Sequence, residues 1–273
     1  MIEYSVYFVA TPIGNLDEIT FRAVEILKSV DTIFCEDTRH AKILLNRYDI
    51  TKPLTAYHKF NEKSAVQNIL DDVNNGKKIA VITDAGMPCI SDPGNVLVNE
   101  LNAKKISYTV ISGACALVNA FVLSGFSAPF TFVGFLPEKN IDRQRLMETL
   151  PKKQVLIFYS SVHDVGDDLK YLYSVLGERK VCVAREISKM YESVYFGNLK
   201  DIEIDVTKGE FVIVVDADKN NEFIDMSIEE HINFYISQGF SKNEAVKKTA
   251  KDRKVNKNEI YQIALDMSSN EKK

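Results

Sequence analysis

No apolar run in these 273 residues approaches the length of a membrane span. The start, Met1-Ile-Glu-Tyr, lacks the charged opening and apolar core of a signal peptide, so a cytoplasmic location is expected by default. Only four cysteines occur, Cys35, Cys89, Cys115 and Cys182. They are far apart and form no Cys-x-x-Cys pair, which argues against a zinc site or a disulfide framework. With four histidines no metal constellation is visible, no Ser-His-Asp or Cys-His ordering stands out, and no metal is expected. Positive charge is not in excess. The net charge is −4, so a polyanionic partner would need a local basic patch. Phosphate-binding fingerprints are missing too. The loop Ala10-Thr-Pro-Ile-Gly14-Asn-Leu-Asp17 has one glycine where a dinucleotide site has three, and no Gly-Lys-Ser/Thr ending, so neither a nicotinamide nor an ATP enzyme is supported.

What is present is ordinary for a soluble globular chain: 45% hydrophobic and 26% charged residues. The length suggests two compact units plus a small appendage. Up to residue 115 the sequence alternates strand and helix patterns. Strands are expected at Tyr4–Ala10, Asp31–Cys35, Pro53–Tyr57, Ile79–Thr83 and Ser107–Ile111. Helices are expected at Glu18–Lys28, through Leu44 and Leu45, at Asn61–Asn74 and at Asn95–Asn102. This alternation predicts an α/β domain with a mainly parallel sheet over 1–115. A helix ending near Gly125 follows. Five strand candidates then come with only about two helices between them, at Phe130–Leu136, Val155–Tyr159, Val181–Ile187, Ser193–Phe196 and Phe211–Val215. A second α/β domain with a mixed sheet is therefore expected over 116–218. Residues 219–273 read as a polar linker and a helical tail. Ser227–Gln238 is one helix, and Ser241-Lys-Asn-Glu244 and Asn256-Lys-Asn-Glu259 are start signals for two more. Seven Lys/Arg against three acids between Ser241 and Ile260 make this tail a basic patch: either a solvated helix surface or a face that meets phosphates.

The densest signal is Ile79-Ala-Val-Ile-Thr-Asp-Ala-Gly-Met-Pro-Cys-Ile-Ser-Asp-Pro-Gly94. A buried strand stops on Asp84, and two Gly, two Pro and two Asp then control the backbone. In open α/β sheets ligands bind beyond the carboxyl ends of strands, so this loop reads as the wall of a small-molecule site; the plain alternative is a tight surface turn. Glu36-Asp37-Thr38-Arg39 sits where the second strand ends. Its carboxylates suit proton acceptance or a ribose hydroxyl and Arg39 suits a phosphate; a surface salt-bridge cluster is the alternative. In Tyr57-His58-Lys59-Phe60-Asn61-Glu62, His58 is a candidate acid or base or a structural hydrogen-bonding group, and Asn61 a candidate helix cap.

Thr11-Pro-Ile-Gly-Asn-Leu16, Cys35-Glu-Asp-Thr-Arg39, Tyr57-His-x-x-Asn-Glu62, Thr83-Asp-Ala-Gly-x-Pro-x-Ile-Ser-Asp-Pro-Gly94 and Gly134-Phe-Leu-Pro137 occur in this order. Together they resemble the small-subunit ribosomal RNA methyltransferase I family of the tetrapyrrole methylase superfamily, from residue 7 to the C-terminus. The resemblance implies two α/β domains with S-adenosyl-L-methionine folded into the cleft between them. It also implies a homodimer, and 2′-O-methylation of a cytidine ribose in the decoding centre of 16S rRNA, on the rRNA or the small ribosomal subunit. Carried onto this chain, it implies Glu36, Asp37, Arg39 and His58 at the reacting hydroxyl. Pro12, Gly14, Asp84, Ala85, Gly86, Pro88, Ser91, Asp92, Gly113, Ala116 and Tyr159 would be at the cofactor. Arg39, Asn61, Lys242, Lys247, Lys248, Lys251, Arg253, Lys254 and Lys257 would be at the RNA. Three segments depart from the family pattern: Met87 and Cys89, Ser112-Gly-Ala-Cys-Ala116, and Tyr159-Ser-Ser-Val-His-Asp164, where a carboxylate and an arginine are missing. Two rival functions stay open: a methylase of a tetrapyrrole or other small molecule, and a non-catalytic rRNA-binding or assembly protein.

Overall fold

The computed structural model describes residues 4–127, 129–151, 153–206, 208–218, 226–253 and 255–270. Its first half is a five-stranded parallel sheet. β1 (Val6–Val9), β2 (Thr32–Cys35), β3 (Leu54–Ala56), β4 (Ile79–Val81) and β5 (Tyr108–Ile111) lie in the order β3-β2-β4-β1-β5. Each strand is followed by a helix: α1 (Phe21–Ser29), α2 (Thr38–Arg47), α3 (Glu62–Asn74), α4 (Asn95–Lys104) and α5 (Ala116–Ser124). The period-2 strand pattern sorts the core into two layers. Tyr7, Val9, Ile33 and Ala80 face Ala23 and Leu27 of α1 and Ala41 and Leu45 of α2. Val6, Phe8, Phe34 and Val81 face Val66 and Ile69 of α3 and Leu97 and Leu101 of α4. Burial on both faces is why these strands are almost wholly apolar.

The second sheet is mixed, as its smaller helix content predicts. β6 (Phe130–Phe135), β7 (Val155–Ser161), β8 (Lys180–Arg185), β9 (Ser193–Asn198) and β10 (Glu210–Val215) lie in the order β6-β7-β10-β8-β9. Only the β6–β7 pair is parallel. α6 (Asn140–Thr149) and α7 (Val165–Leu176) cover one face through Met147, Leu169 and Leu172. On the other face Leu117 and Ala120 of α5 and Ile13, from the loop after β1, pack on Ile157, Ala184 and Val212. That layer joins the two halves.

α8 (Ile228–Ser237), α9 (Lys242–Arg253) and α10 (Lys257–Asn270) form a small bundle around Ile232, Val246, Ala250 and Ile260. The start signal at Ser241 is satisfied by its reciprocal bonds with Glu244, and Ser227 forms the same box with Glu230. Two local expectations are corrected. The helix expected over Glu18–Lys28 is split: Leu16–Glu18 is a single 3-10 turn, and α1 starts afresh because the Thr20 hydroxyl, on extended backbone, accepts from Ala23 N at 3.1 Å. Asn61 occupies the cap position of α3 but does not cap it. Its Oδ1 accepts from His58 N at 2.8 Å and its Nδ2 donates to Ala56 O at 2.9 Å, so its side chain closes the preceding turn.

Candidate active site

In a parallel sheet all strands end at one edge, and here the four loops leaving β1 to β4 meet there. The loop after β4, the central strand, is the hub. Gly86 exchanges backbone hydrogen bonds with Thr11 of the β1 loop, at 2.9 and 3.1 Å, and the Thr11 hydroxyl donates to Thr83 O. Asp84 Oδ1 accepts from Asp37 N of the β2 loop at 3.2 Å. Glu62 Oε1, past β3, accepts from both Tyr57 Oη and Gly94 N, at 3.0 and 3.1 Å. The turns need unusual backbone: Gly86, Cys89, Ser91 and Gly94 all have positive φ. A Cβ at Gly94 would lie 2.4 Å from Cys89 Sγ, so Gly94 and Cys89 share one space.

Between this loop and the second sheet lies a cavity of about 400 Å3. Of the residues assigned to the cofactor by the resemblance, Asp84, Ala85, Gly86, Ser91, Asp92, Ala116 and Tyr159 line it. Pro12, Gly14, Pro88 and Gly113 do not. Gly14 lets the β1 loop reach the second sheet, because a Cβ there would lie 2.3 Å from Lys189 Cγ; Gly113 lies against the Ala10 methyl. Sequence reasoning missed Ile13, Ile90 and Phe135, the Glu186–Lys189 turn after β8, and the start of β10. The last carries a signal, Lys208-Gly-Glu-Phe-Val212, which the sequence alone does not connect to the cleft. Tyr159 is the aromatic centre of the far wall, with Phe132 and Phe135 rings at 4.9 and 5.6 Å. Lys189 is clasped by Glu186 and Glu210, at 2.9 and 2.8 Å.

The Tyr159–Asp164 segment is braced from outside itself. The buried Ser160 hydroxyl donates to Asp168 Oδ2 of α7 at 2.7 Å, and Arg143 of α6 pairs with Asp168 Oδ1 at 3.2 Å. Asp168 and Arg143, from two helices, therefore stand behind the cleft wall. Met87 lines the cavity, as do Cys115 and Ala116 of the other divergent segment.

Glu36 and Asp37 differ sharply. Glu36 is half-buried, its Oε1 has no hydrogen-bond partner among the described residues, and burial with the nearby charges of Asp92 and Asp84 pushes its pKa up to about 7. Asp92 is itself raised to about 6 by burial and by Asp84. Asp37 instead accepts two side-chain bonds from Arg39, at 3.2 and 2.9 Å, and caps α2 through Arg39 N; those bonds lower it to about 2. The β2–β3 register pairs Cys35 with Ala56 and Tyr57 N donates to Cys35 O, so Glu36 follows that pair by one residue and His58 by two, on adjacent strand ends. His58 Nδ1 is buried without a partner among the described residues. No group of three or more metal-ligating side chains comes together among the described residues.

Of the basic tail, Lys242, Lys247, Lys251 and Lys257 are exposed. Arg253 is used internally: it donates to His231 Nδ1 and Ser227 O, both at 3.1 Å, and to Met226 O. Lys248 Nζ lies over the Phe240 and Tyr235 rings, at 4.4 and 5.2 Å. Lys254 falls outside the described residues.

Two sheets, one wholly parallel and one mixed, enclosing a cleft at the carboxyl edge of the first, are found in known methylases. CobJ, a methyltransferase, superposes with a TM-score of 0.62 at 16% identity, over 79% of this chain and 95% of that one. The uroporphyrin-III-C-methyltransferase of Thermus thermophilus superposes at 0.58 and 17% identity, over 77% and 93%. These likenesses establish the fold. A family model of the tetrapyrrole (corrin/porphyrin) methylases matches residues 5–203, and the chain belongs to that family of methyltransferases. Within it the chain groups with proteins named ribosomal RNA small subunit methyltransferase I. That of Halalkalibacterium halodurans is 42% identical over 95% of this chain and 94% of its own length. That of Bacillus subtilis is 39% identical over 93% and 92%, and that of Synechocystis 36% over 96% and 98%.

Proposed function

We propose that this methyltransferase uses S-adenosylmethionine to methylate the 2′-hydroxyl of a cytidine ribose in the decoding centre of 16S rRNA. Its partner is then the rRNA or the small ribosomal subunit, in the cytoplasm. The names of relatives that match nearly end to end support the substrate class. The observation that carries the chemistry is Glu36, a half-buried carboxyl poised near neutrality beside Asp84 and Asp92.

The cavity suits the cofactor: about 400 Å3 is a small-molecule volume, and the walls combine Tyr159, Phe135, Met87 and Ile90 with the carboxyls of Asp84 and Asp92. An apolar cleft with acidic corners matches a ligand with an aromatic base, two hydroxyls and positive charge. Bound there, the cofactor supplies a methyl group on a cationic sulfur, which is already electrophilic. The protein then has to align the ribose oxygen and remove its proton. Glu36 takes that proton as the O–CH3 bond forms and the S–CH3 bond breaks, the electron pair staying on sulfur. His58 orients the hydroxyl. Asp37, ionised and tied to Arg39, holds that guanidinium toward an RNA phosphate. Lys247, Lys251 and Lys257 hold more distant phosphates. We further read 1–115, 116–218 and 219–273 as three folding units. The outward face of α5, with Val118 and Val122 one turn apart, is read as the homodimer surface.

The test is to incubate the protein with labelled S-adenosylmethionine and small ribosomal subunits lacking the modification, then map the label. Label on a cytidine ribose of 16S rRNA is expected. Label in no RNA despite tight subunit binding would favour an assembly protein, and label in a tetrapyrrole the other branch of the family.

A further inference from the structure

The turn between β3 and α3 holds a phenylalanine almost wholly in water: Phe60 is 96% exposed. An exposed apolar side chain is commonplace when it rides on a loose loop. This turn is braced from three sides. Asn61 binds back to His58 N and Ala56 O, Asn61 N donates to His58 O at 3.0 Å, and Glu62 ties the turn to Tyr57 and to Gly94 of the cleft loop. The ring is therefore presented on rigid backbone. It lies edge-on to His58, ring centres 6.1 Å apart, at the carboxyl end of β3, beside β2, whose own carboxyl end carries Glu36. Lys59 and Lys63, on either side, are exposed as well. A bare aromatic plane with flanking cations, on the strand end neighbouring that of the proposed base, is the chemistry that holds an unstacked base of a single strand.

We propose that Phe60 is a base-stacking residue of the substrate site: an unpaired nucleobase of the rRNA, next to the methylated ribose, lies on its ring, and Lys59 and Lys63 meet the adjoining phosphates. This rests on the rRNA methyltransferase reading and adds a recognition element to it. Reaching a 2′-hydroxyl at the strand ends requires the RNA to be splayed, and the displaced base gains a new stacking partner.

The chain contains no tryptophan, so Phe60→Trp introduces its sole indole, at a position where size is unconstrained. Stacking on a base quenches indole emission. Adding unmodified small subunits to this variant should quench the emission saturably, and S-adenosylmethionine alone should not. The control is Phe196→Trp, 64% exposed on β9, the outer strand of the second sheet; its emission should stay unchanged. Phe60→Ala should raise KM for the subunit by roughly tenfold, with cofactor affinity intact, and Phe60→Trp should recover the loss. Subunit binding without quenching, equal quenching of the control, a Phe60→Ala KM within about twofold of wild type, or emission that depends on protein concentration without RNA would each overturn the assignment. Wild-type protein that labels the rRNA in those same cases leaves the methyltransferase reading standing. Wild-type protein that labels no RNA refutes both.

Discussion

At the end of β2 two neighbouring carboxyls sit in different fields. Glu36 faces Asp84 and Asp92 from a half-buried position, whereas Asp37 faces water and Arg39. If Glu36 is the base, Glu36→Gln should lower kcat by about 10²–10⁴-fold with cofactor binding retained. The kcat/KM of the wild type should fall as pH drops below about 7, because the acceptor must be ionised. A second consequence concerns stability. A carboxyl raised on folding stabilises the fold at low pH and loses that contribution as pH rises through the folded value. Glu36→Gln should therefore raise Tm at pH 8 and change it little at pH 5; equal shifts at both would exclude a raised Glu36. Asp37→Asn should keep the α2 cap, since an amide oxygen accepts from Arg39 N as well, whereas Asp37→Ala should lose it and lower Tm. The sequence places both acids at a strand end but does not separate them, because Glu36 is raised by burial and by Asp92 and Asp84, more than forty residues away, while Asp37 stays with Arg39.

At the scale of elements, the β4 loop and the C-terminal helices show how much a motif conceals. The Asp84–Gly94 run is legible as a ligand wall from its Gly, Pro and Asp content. Its role as the hub tying three other loops is not, since those bonds come from Thr11, Asp37 and Glu62. Gly94→Ala should cost about 1–3 kcal/mol in thermal or denaturant unfolding. Part of that should be regained in a Cys89→Ala background, where Sγ no longer contests the space. In the tail, charge alone makes seven cations look alike, yet packing divides them. Arg253→Ala should destabilise the bundle by about 1–3 kcal/mol, seen as weaker hydrogen-exchange protection in α8 to α10, because His231 and two carbonyls lose a charged donor. Lys247→Ala and Lys251→Ala should leave protection intact. They should weaken subunit binding and shallow its salt dependence by about one unit for each phosphate no longer held.

For the whole molecule, the cleft exists because Ile13, Leu117 and Ala120 join the two sheets through one shared layer. Close approach is permitted by Gly14 against Lys189 and by Gly134 against Ser91 Oγ. The same arrangement leaves Val118 and Val122 on the outer face of α5, 47% and 72% exposed, with the Phe121 and Phe130 rings 4.8 Å apart nearby. If this is the surface between two copies, Val122→Glu should convert a dimer to a monomer in light scattering without lowering the monomer's Tm. A wild-type monomer would discard the surface. Among the described residues no helix is long and apolar enough to cross a membrane.

Alternation of apolar strands with amphipathic helices, and their thinning after Pro129, determined the two sheet types, because hydrophobic period is a local property that each segment carries by itself. The strand-end motifs determined that their loops gather at the carboxyl edge of the first sheet. Tertiary structure alone decided which carboxyl is poised, which glycines line the cavity and which permit sheets to approach, and which cations face water. It also set the Arg143–Asp168 pair of α6 and α7 behind Ser160 of the cleft wall. Each of these depends on atoms brought together from distant parts of the chain, where burial and charge act through space.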